Sequence, residues 1–418
     1  MKVSISKRTI TQFSMLMLSN YAVVIISFMV NILMTHAMNE DNFGYYKYAI
    51  SIIIMSSALI NGGIHFSAAR LIAINDVKKE KSLLSTTVII TVAISVVYAI
   101  LALIILIILN KYLINVDDVV FFAIPLVFTI ILQRMYITVL KGSNRISDIV
   151  FQTVLPQVIL LVIYFVLKKL DYKIEFELAL IIYGTVYFII HLITWLRLGL
   201  TISSSFKNDV SELLNENKSN GFQLYKGSLA GVFVGDLLTV IVGGMINKSI
   251  FGMYSLALSM SAPLSMIPLA LATIKFKENA NNGRLSKKNI VGTILISLLG
   301  FVILNIGVKT FFPIFFDPDY NEALNFMIIC SITFLIHGIG DYFNQFSSSQ
   351  GLGNKLKIGA YISGIAQLTC AIILVPSYGI WGLIYSKLIS SSIYSFSMIY
   401  IYFHFIKLDI TNKKGEES

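Results

Sequence analysis

Continuous apolar runs follow one another along this chain, each about 20 residues long, the length that spans a bilayer core as a helix. In hydrocarbon every backbone N–H and C=O must find its partner inside the protein, which leaves helices and closed barrels. A barrel needs strands in which apolar and polar residues alternate, and these runs do not alternate. Composition agrees: 56% of the residues are hydrophobic and 13% charged, too few charges to cover a water-facing surface. The expected fold class is an all-α integral membrane protein.

Twelve spans are predicted, at roughly 10–35, 45–69, 83–109, 119–140, 149–167, 178–199, 222–246, 252–273, 290–311, 323–346, 357–376 and 380–405. The first follows Lys2, Lys7 and Arg8, but it is too long for a signal peptide and no small-residue cleavage site ends it. The longest connection is polar (Ser203, Ser204, Ser205, Lys207, Asn208, Asp209, Glu212) and sits at the midpoint. It reads as a cytoplasmic linker, 201–221, between two six-helix lobes, 1–200 and 222–405, around a central cavity, with a tail at 406–418.

The placement of Lys and Arg sets the orientation. With the N-terminus in the cytoplasm, 23 of the 32 basic residues fall on the cytoplasmic side and six on the other; Lys47, Arg134 and Lys387 lie inside spans. Both termini are therefore expected in the cytoplasm. The net charge of +10 reflects this topology rather than a nucleic-acid partner.

The halves echo each other. Phe251-Gly252-x-Tyr254-x-x-Ala257 repeats Phe43-Gly44-x-Tyr46-x-x-Ala49 at an offset of 208 residues. Gly142-x-Asn144-Arg145, after span four, resembles Gly351-x-x-Asn354-Lys355, after span ten. Lobes with an even number of spans are parallel repeats, and transporters built from such repeats place substrate between them.

Asp236 stands near the middle of span seven beside a small-residue ridge of Gly227, Gly231, Gly235, Thr239 and Gly243. A carboxylate at that depth costs about 2.5–3.5 kcal/mol on insertion scales, so it faces the bundle interior or a wet cavity. It reads as a coupling or gating group, or as half of a structural ion pair. On span ten, His337, Asp341, Asn344 or Gln345, and Ser348 share one helical face, which points to a cavity lining in which His337 and Asp341 exchange a proton. The other reading is a satisfied interhelical network. Arg134, Lys387 and Lys47 would suit an anionic substrate such as a lipid diphosphate, Arg134 through its planar fork; alternatively Asp236 and Asp341 neutralise two of them. Tyr183, Tyr187, His191 and Trp195 on span six could stack on sugars but read rather as packing and an interfacial belt; Asn61, Gly62, Gly63 and His65 on span two, with Pro263 and Pro268 on span eight, read as flex points, and Asn61 and His65 also as cavity-lining residues.

Enzyme chemistry finds little footing. There is no phosphate-cradling Gly-Lys-Ser/Thr loop and no His-x-x-x-His or Cys-x-x-Cys spacing, so no catalytic or metal set and no cofactor is expected beyond a coupling ion, H+ or Na+. Cys330 and Cys370 lie in apolar runs and read as packing residues. A membrane polymerase or ligase would need a large outer loop, and the outer loops are short.

With its twelve spans, its paired Phe-Gly-x-Tyr-x-x-Ala phrases and the pattern Ile373-Leu-Val-Pro376-Ser-Tyr-Gly379-Ile-Trp381-Gly382 before the last span, the whole chain resembles the polysaccharide exporter branch of the multidrug/oligosaccharidyl-lipid/polysaccharide exporter superfamily, and within it the Wzx-type O-antigen flippases. That resemblance implies movement of undecaprenyl-diphosphate-linked oligosaccharide units from the cytoplasmic to the periplasmic leaflet of a bacterial inner membrane. It implies membrane lipid, a polysaccharide polymerase and a chain-length regulator as partners. An ion-coupled multidrug exporter of the same superfamily is the alternative.

Overall fold

The computed structural model describes residues 7–112, 117–201, 205–222, 225–226, 229, 234–274, 284–350 and 352–416, and every regular element among them is helical. The chain divides into two compact units, Met1–Leu229 and Ala230–Ser418. The first holds α1 (Lys7–Ala37), α2 (Glu40–Ile60), α3 (Ile64–Ile74), α4 (Val77–Tyr112), α5 (Asp118–Ala123), α6 (Val127–Gly142), α7 (Ile146–Lys169), α8 (Phe176–Leu198) and α9 (Phe206–Glu216). The second holds α10 (Val234–Met245), α11 (Lys248–Ser261), α12 (Pro263–Ile274), α13 (Lys287–Phe315), α14 (Glu322–Ser349), α15 (Gly353–Tyr378) and α16 (Ile380–Glu416).

Ten stretches among the described residues are long and apolar enough to cross a membrane, against the twelve expected. The two others have different causes. The predicted span 222–246 falls partly outside the described residues, and what is described of it is the short apolar helix α10. Helix α16 is long enough, but Ser386, Lys387, Ser390, Ser391, Ser392, Ser395 and Ser397 lower its hydropathy.

The predicted second span, 45–69, is cut in two. Gly62 and Gly63 take φ of 59° and 88°, a left-handed conformation that ends α2 and restarts the chain as α3. The predicted linker is also partly folded: α9 and a π-helical turn, Asn217–Gly221, belong to the first unit and pack on α3 and α4.

Helix α4 shows the logic of a bilayer-facing fold. Thr87, Thr91 and Ser95 are buried at four-residue spacing, and each hydroxyl donates to the carbonyl one turn back. Val96, Ile100 and Ile104 stand on the exposed side. Where the surroundings are as apolar as leucine, association rests on close packing and internal hydrogen bonds. Helix α14 packs by the same rule. A side chain on Gly338 would come within 2.8 Å of the Ser265 backbone, and one on Gly340 within 2.9 Å of Ser395 Cα. The two glycines let α12 and α16 approach α14 closely. Tyr342, Phe343, Phe346, Tyr394, Met398 and Tyr402 then fill the core of this unit.

Candidate functional site

In the first unit the interruption between α2 and α3 gathers three of the sequence-predicted residues. Asn61 caps the end of α2, and His65 lies in the first turn of α3 with only 2% of its surface exposed. His65 Nε2 is 3.4 Å from Thr91 Oγ1 on α4. His65 Nδ1 and Asn61 Oδ1 are buried without a hydrogen-bond partner among the described residues. Arg134, half-buried on α6, lies within electrostatic reach of His65. Lys47 on α2 has other neighbours: its Nζ donates to Asn31 Oδ1 on α1 at 2.6 Å and sits 5.2 Å from the Phe43 ring and 6.0 Å from that of Tyr46. The first copy of the Phe-Gly-x-Tyr phrase thus builds a partly apolar seat for Lys47.

A second polar layer crosses the same unit. Ser27 on α1 donates to Gln157 on α7 at 3.1 Å, and Gln157 donates to Tyr187 Oη on α8 at 3.2 Å. Gln133 on α6 donates to the carbonyl of Gln152 at 3.0 Å, and Gln152 donates to Thr194 Oγ1. Tyr183, Tyr187 and His191 are buried in the bundle, and His191 stacks on Tyr136. Sequence reasoning passed over these glutamines. An uncharged amide inside an apolar run was the available signal.

In the second unit His337, Asp341 and Asn344 converge on one residue that the sequence did not single out, Tyr394 of α16. Its hydroxyl donates to Asp341 Oδ1 at 2.8 Å and accepts from Asn344 Nδ2 at 2.8 Å. The His337 ring stacks on the Tyr394 ring with centroids 4.5 Å apart. His337 Nε2 is 4.0 Å from Asp341 Oδ1, and its Nδ1 is 3.4 Å from Ser391 Oγ. The 337/341/344 spacing on α14 makes this possible, since residues three and four apart share a face. Gln345 is half-buried on α14. Lys387, two turns before Tyr394, places its Nζ 5.5 Å from the Phe334 ring and lies within electrostatic reach of Asp236 on α10. Of the small-residue ridge expected beside Asp236, Gly227 and Gly231 lie outside the described residues. Cys330 and Cys370 are both free.

A third cluster joins the polar midpoint to the first unit. The buried Asp209 on α9 accepts from Lys79 Nζ at 2.7 Å, from Ser205 Oγ at 3.2 Å and from Ser82 Oγ. Lys79 also meets Glu212 at 2.7 Å, and Arg70 meets Glu216 at 2.8 Å. Burial pushes the Asp209 carboxyl up, but the hydrogen bonds from Lys79 and Ser82 and the lysine's charge outweigh it. The net effect holds the group below its usual range. Asn217 Nδ2 donates to the carbonyl of Gly62, and Ser67 Oγ donates to Asn217 Oδ1, both at 3.1 Å. Gly221 lies against Gly63 so closely that a side chain on either would strike the other's carbonyl oxygen. The α2–α3 interruption is held from outside by the segment that leads into the second unit.

A profile of the family described as polysaccharide biosynthesis protein matches residues 10–274. No curated protein matches the chain in sequence. Among solved structures, the lipid II flippase MurJ in an inward closed conformation is similar with a TM-score of 0.66 at 13% identity, over 92% of this chain and 86% of that one. An inward-facing multidrug resistance MATE family transporter of the MOP superfamily has a TM-score of 0.63 at 14% identity, over 93% and 96%. A MOP superfamily transporter from Pyrococcus furiosus, with a binding pocket of reverse polarity, has a TM-score of 0.53 at 13% identity, over 94% of each chain. At these identities the likeness is one of fold.

Proposed function

The chain belongs to the polysaccharide biosynthesis protein family, and from that premise we propose that it flips a lipid-linked oligosaccharide across a bacterial inner membrane, from the cytoplasmic to the periplasmic leaflet. The substrate in this reading is an undecaprenyl-diphosphate-linked repeat unit destined for O-antigen or a related surface polysaccharide. The observation that carries it is the family match, which runs over residues 10–274 of a chain folded like transporters that include a lipid II flippase.

In this mechanism Arg134 and Lys47 of the first unit and Lys387 of the second offer positive charge to the diphosphate. Asn61, His65, Asn344 and Gln345 offer polar contacts to sugar, and the lipid tail stays in the bilayer. A coupling ion, H+ or Na+, acts on Asp236, Asp341 and His337 to drive alternating access. Buried polar and ionisable side chains inside membrane bundles mark substrate and ion paths by default, which supports these roles. Both termini lie in the cytoplasm in this scheme.

The test is complementation of a flippase-null strain, scored by long-chain surface polysaccharide. Wild-type chain restores it, while Arg134→Ala and Asp236→Asn, present at normal levels, do not. Full restoration by both variants would remove these residues from the mechanism. A second reading, an ion-coupled multidrug exporter, draws on the fold likeness to the MATE transporter. It predicts drug resistance on expression and no rescue of polysaccharide.

A further inference from the structure

Helices α15 and α16 leave a groove of about 340 Å³ along their outer side, away from the His337–Asp341–Tyr394 group. Its walls are Ile358, Ile362 and Phe396, which are 59%, 49% and 71% exposed. One end is different in kind: Lys355, Tyr400 and His404 line it, and His404 stacks on Tyr400. The groove is therefore apolar along its length and cationic at one mouth.

The side chains described along α15 and α16 include no carboxylate. No Asp or Glu occurs between Asp341 and Asp409, while Lys355, Lys357, Lys387, His404 and Lys407 fall within that interval. Lys355 has no carboxylate partner in the ion pairs among the described residues. Helix α15 begins at Gly353, two residues before Lys355, so the positive end of its dipole adds to the same field. A narrow apolar slot that opens at a lysine, with Tyr400 and His404 beside it, matches one chemical shape, an acyl chain joined to an anionic head.

We propose that this groove is a binding site for an anionic phospholipid, with one acyl chain between α15 and α16 and the phosphate at Lys355, beside Tyr400 and His404. Length decides between an ordinary phospholipid and a polyprenyl chain. From Lys355 to Ile362 a helix rises about 10 Å, within the roughly 15 Å depth of one leaflet. The slot accommodates part of one acyl chain and does not extend across the bilayer as a long polyprenyl tail would need. With the basic ends of the helices in the cytoplasm, the lipid belongs to the inner leaflet, where anionic headgroups attract lysines beside a membrane span. The groove's ligand does not depend on the transported substrate; its leaflet rests on the orientation proposed above.

The experiment uses the full chain in nanodiscs made from equal parts of phosphatidylglycerol and phosphatidylcholine with matched chains, and reads retained lipid by native mass spectrometry during graded delipidation. Phosphatidylglycerol is retained preferentially by the wild type. A lysine near the headgroup contributes about fivefold, so Lys355→Gln lowers the preference roughly fivefold. Ile358→Trp, at an exposed wall position, fills the slot with the charges intact and loses retention of both lipids. Equal retention of the two lipids by the wild type overturns the assignment. So does a phosphatidylglycerol preference that survives both variants, a polyprenyl lipid retained in its place, or a dimer that covers the groove.

Discussion

Replacement of Asp209 by asparagine isolates the electrostatic part of the contact between α9 and the first unit. The side chains match in size, so packing is kept. What is lost is a buried carboxylate that collects Lys79, Ser82 and Ser205. A hydrogen bond to a charged group contributes about 1.5–3 kcal/mol net, and removal of one partner from a fully buried ion pair costs about 3–5 kcal/mol. Lys79 is 29% exposed and keeps Glu212 at 2.7 Å, which places the cost near the low end. A cost of about 2 kcal/mol makes undocking of the segment roughly 30-fold more frequent.

Hydrogen exchange followed by mass spectrometry reads this directly. Amides of 206–221 lose roughly 30-fold of their protection in Asp209→Asn, while peptides from α13 in the other unit keep theirs. Acid acts in the same direction. The docked carboxyl titrates below its ordinary value, so its contribution is complete above the undocked value of about 3.9 and is lost as pH falls through the lower docked value. Unchanged protection of 206–221 in the variant at neutral pH would refute the ion-pair account. A uniform loss across both units would show instead that the substitution unfolds the protein.

Other outcomes follow from the same geometry. Gly221→Ala drives a methyl group into Ser67 Oγ and the Gly63 carbonyl, an overpacking expected to cost about 1–3 kcal/mol and to lower the thermal midpoint in detergent. Tyr394→Phe removes the hydroxyl that bridges Asp341 and Asn344. It costs about 1–3 kcal/mol for the polar groups left behind, measured as a lowered midpoint. If Asp341 carries the coupling ion, the variant also restores less surface polysaccharide at wild-type protein levels.

Class and most helices are readable from the sequence because they rest on a local property, the length of an apolar run; the break at Gly62-Gly63 inside the predicted span 45–69 is not, although two glycines in a row are its local signal. The alignment of His337, Asp341 and Asn344 is readable for the same reason, since helical spacing is local. What closes those features into sites is not local. Gly221 meets Gly63 and Asn217 meets Gly62 from more than 150 residues away, and small residues in contact leave no periodic trace. Tyr394 reads as one more aromatic in a helix rich in them. Its helix, α16, falls short of the ten clearly apolar stretches because of its serines and its lysine, the content that places Lys387, Ser391 and Tyr394 beside α14 and α10. A helix that faced lipid all round could be uniformly apolar. One that must satisfy Asp341 and neighbour Asp236 cannot, because each buried carboxylate needs donors or a cation from a facing helix. Low hydropathy in α16 and the polar group on α14 are therefore one feature seen from two sides. In such a bundle the least apolar spanning helix is the first place to look for the partner of a buried charge.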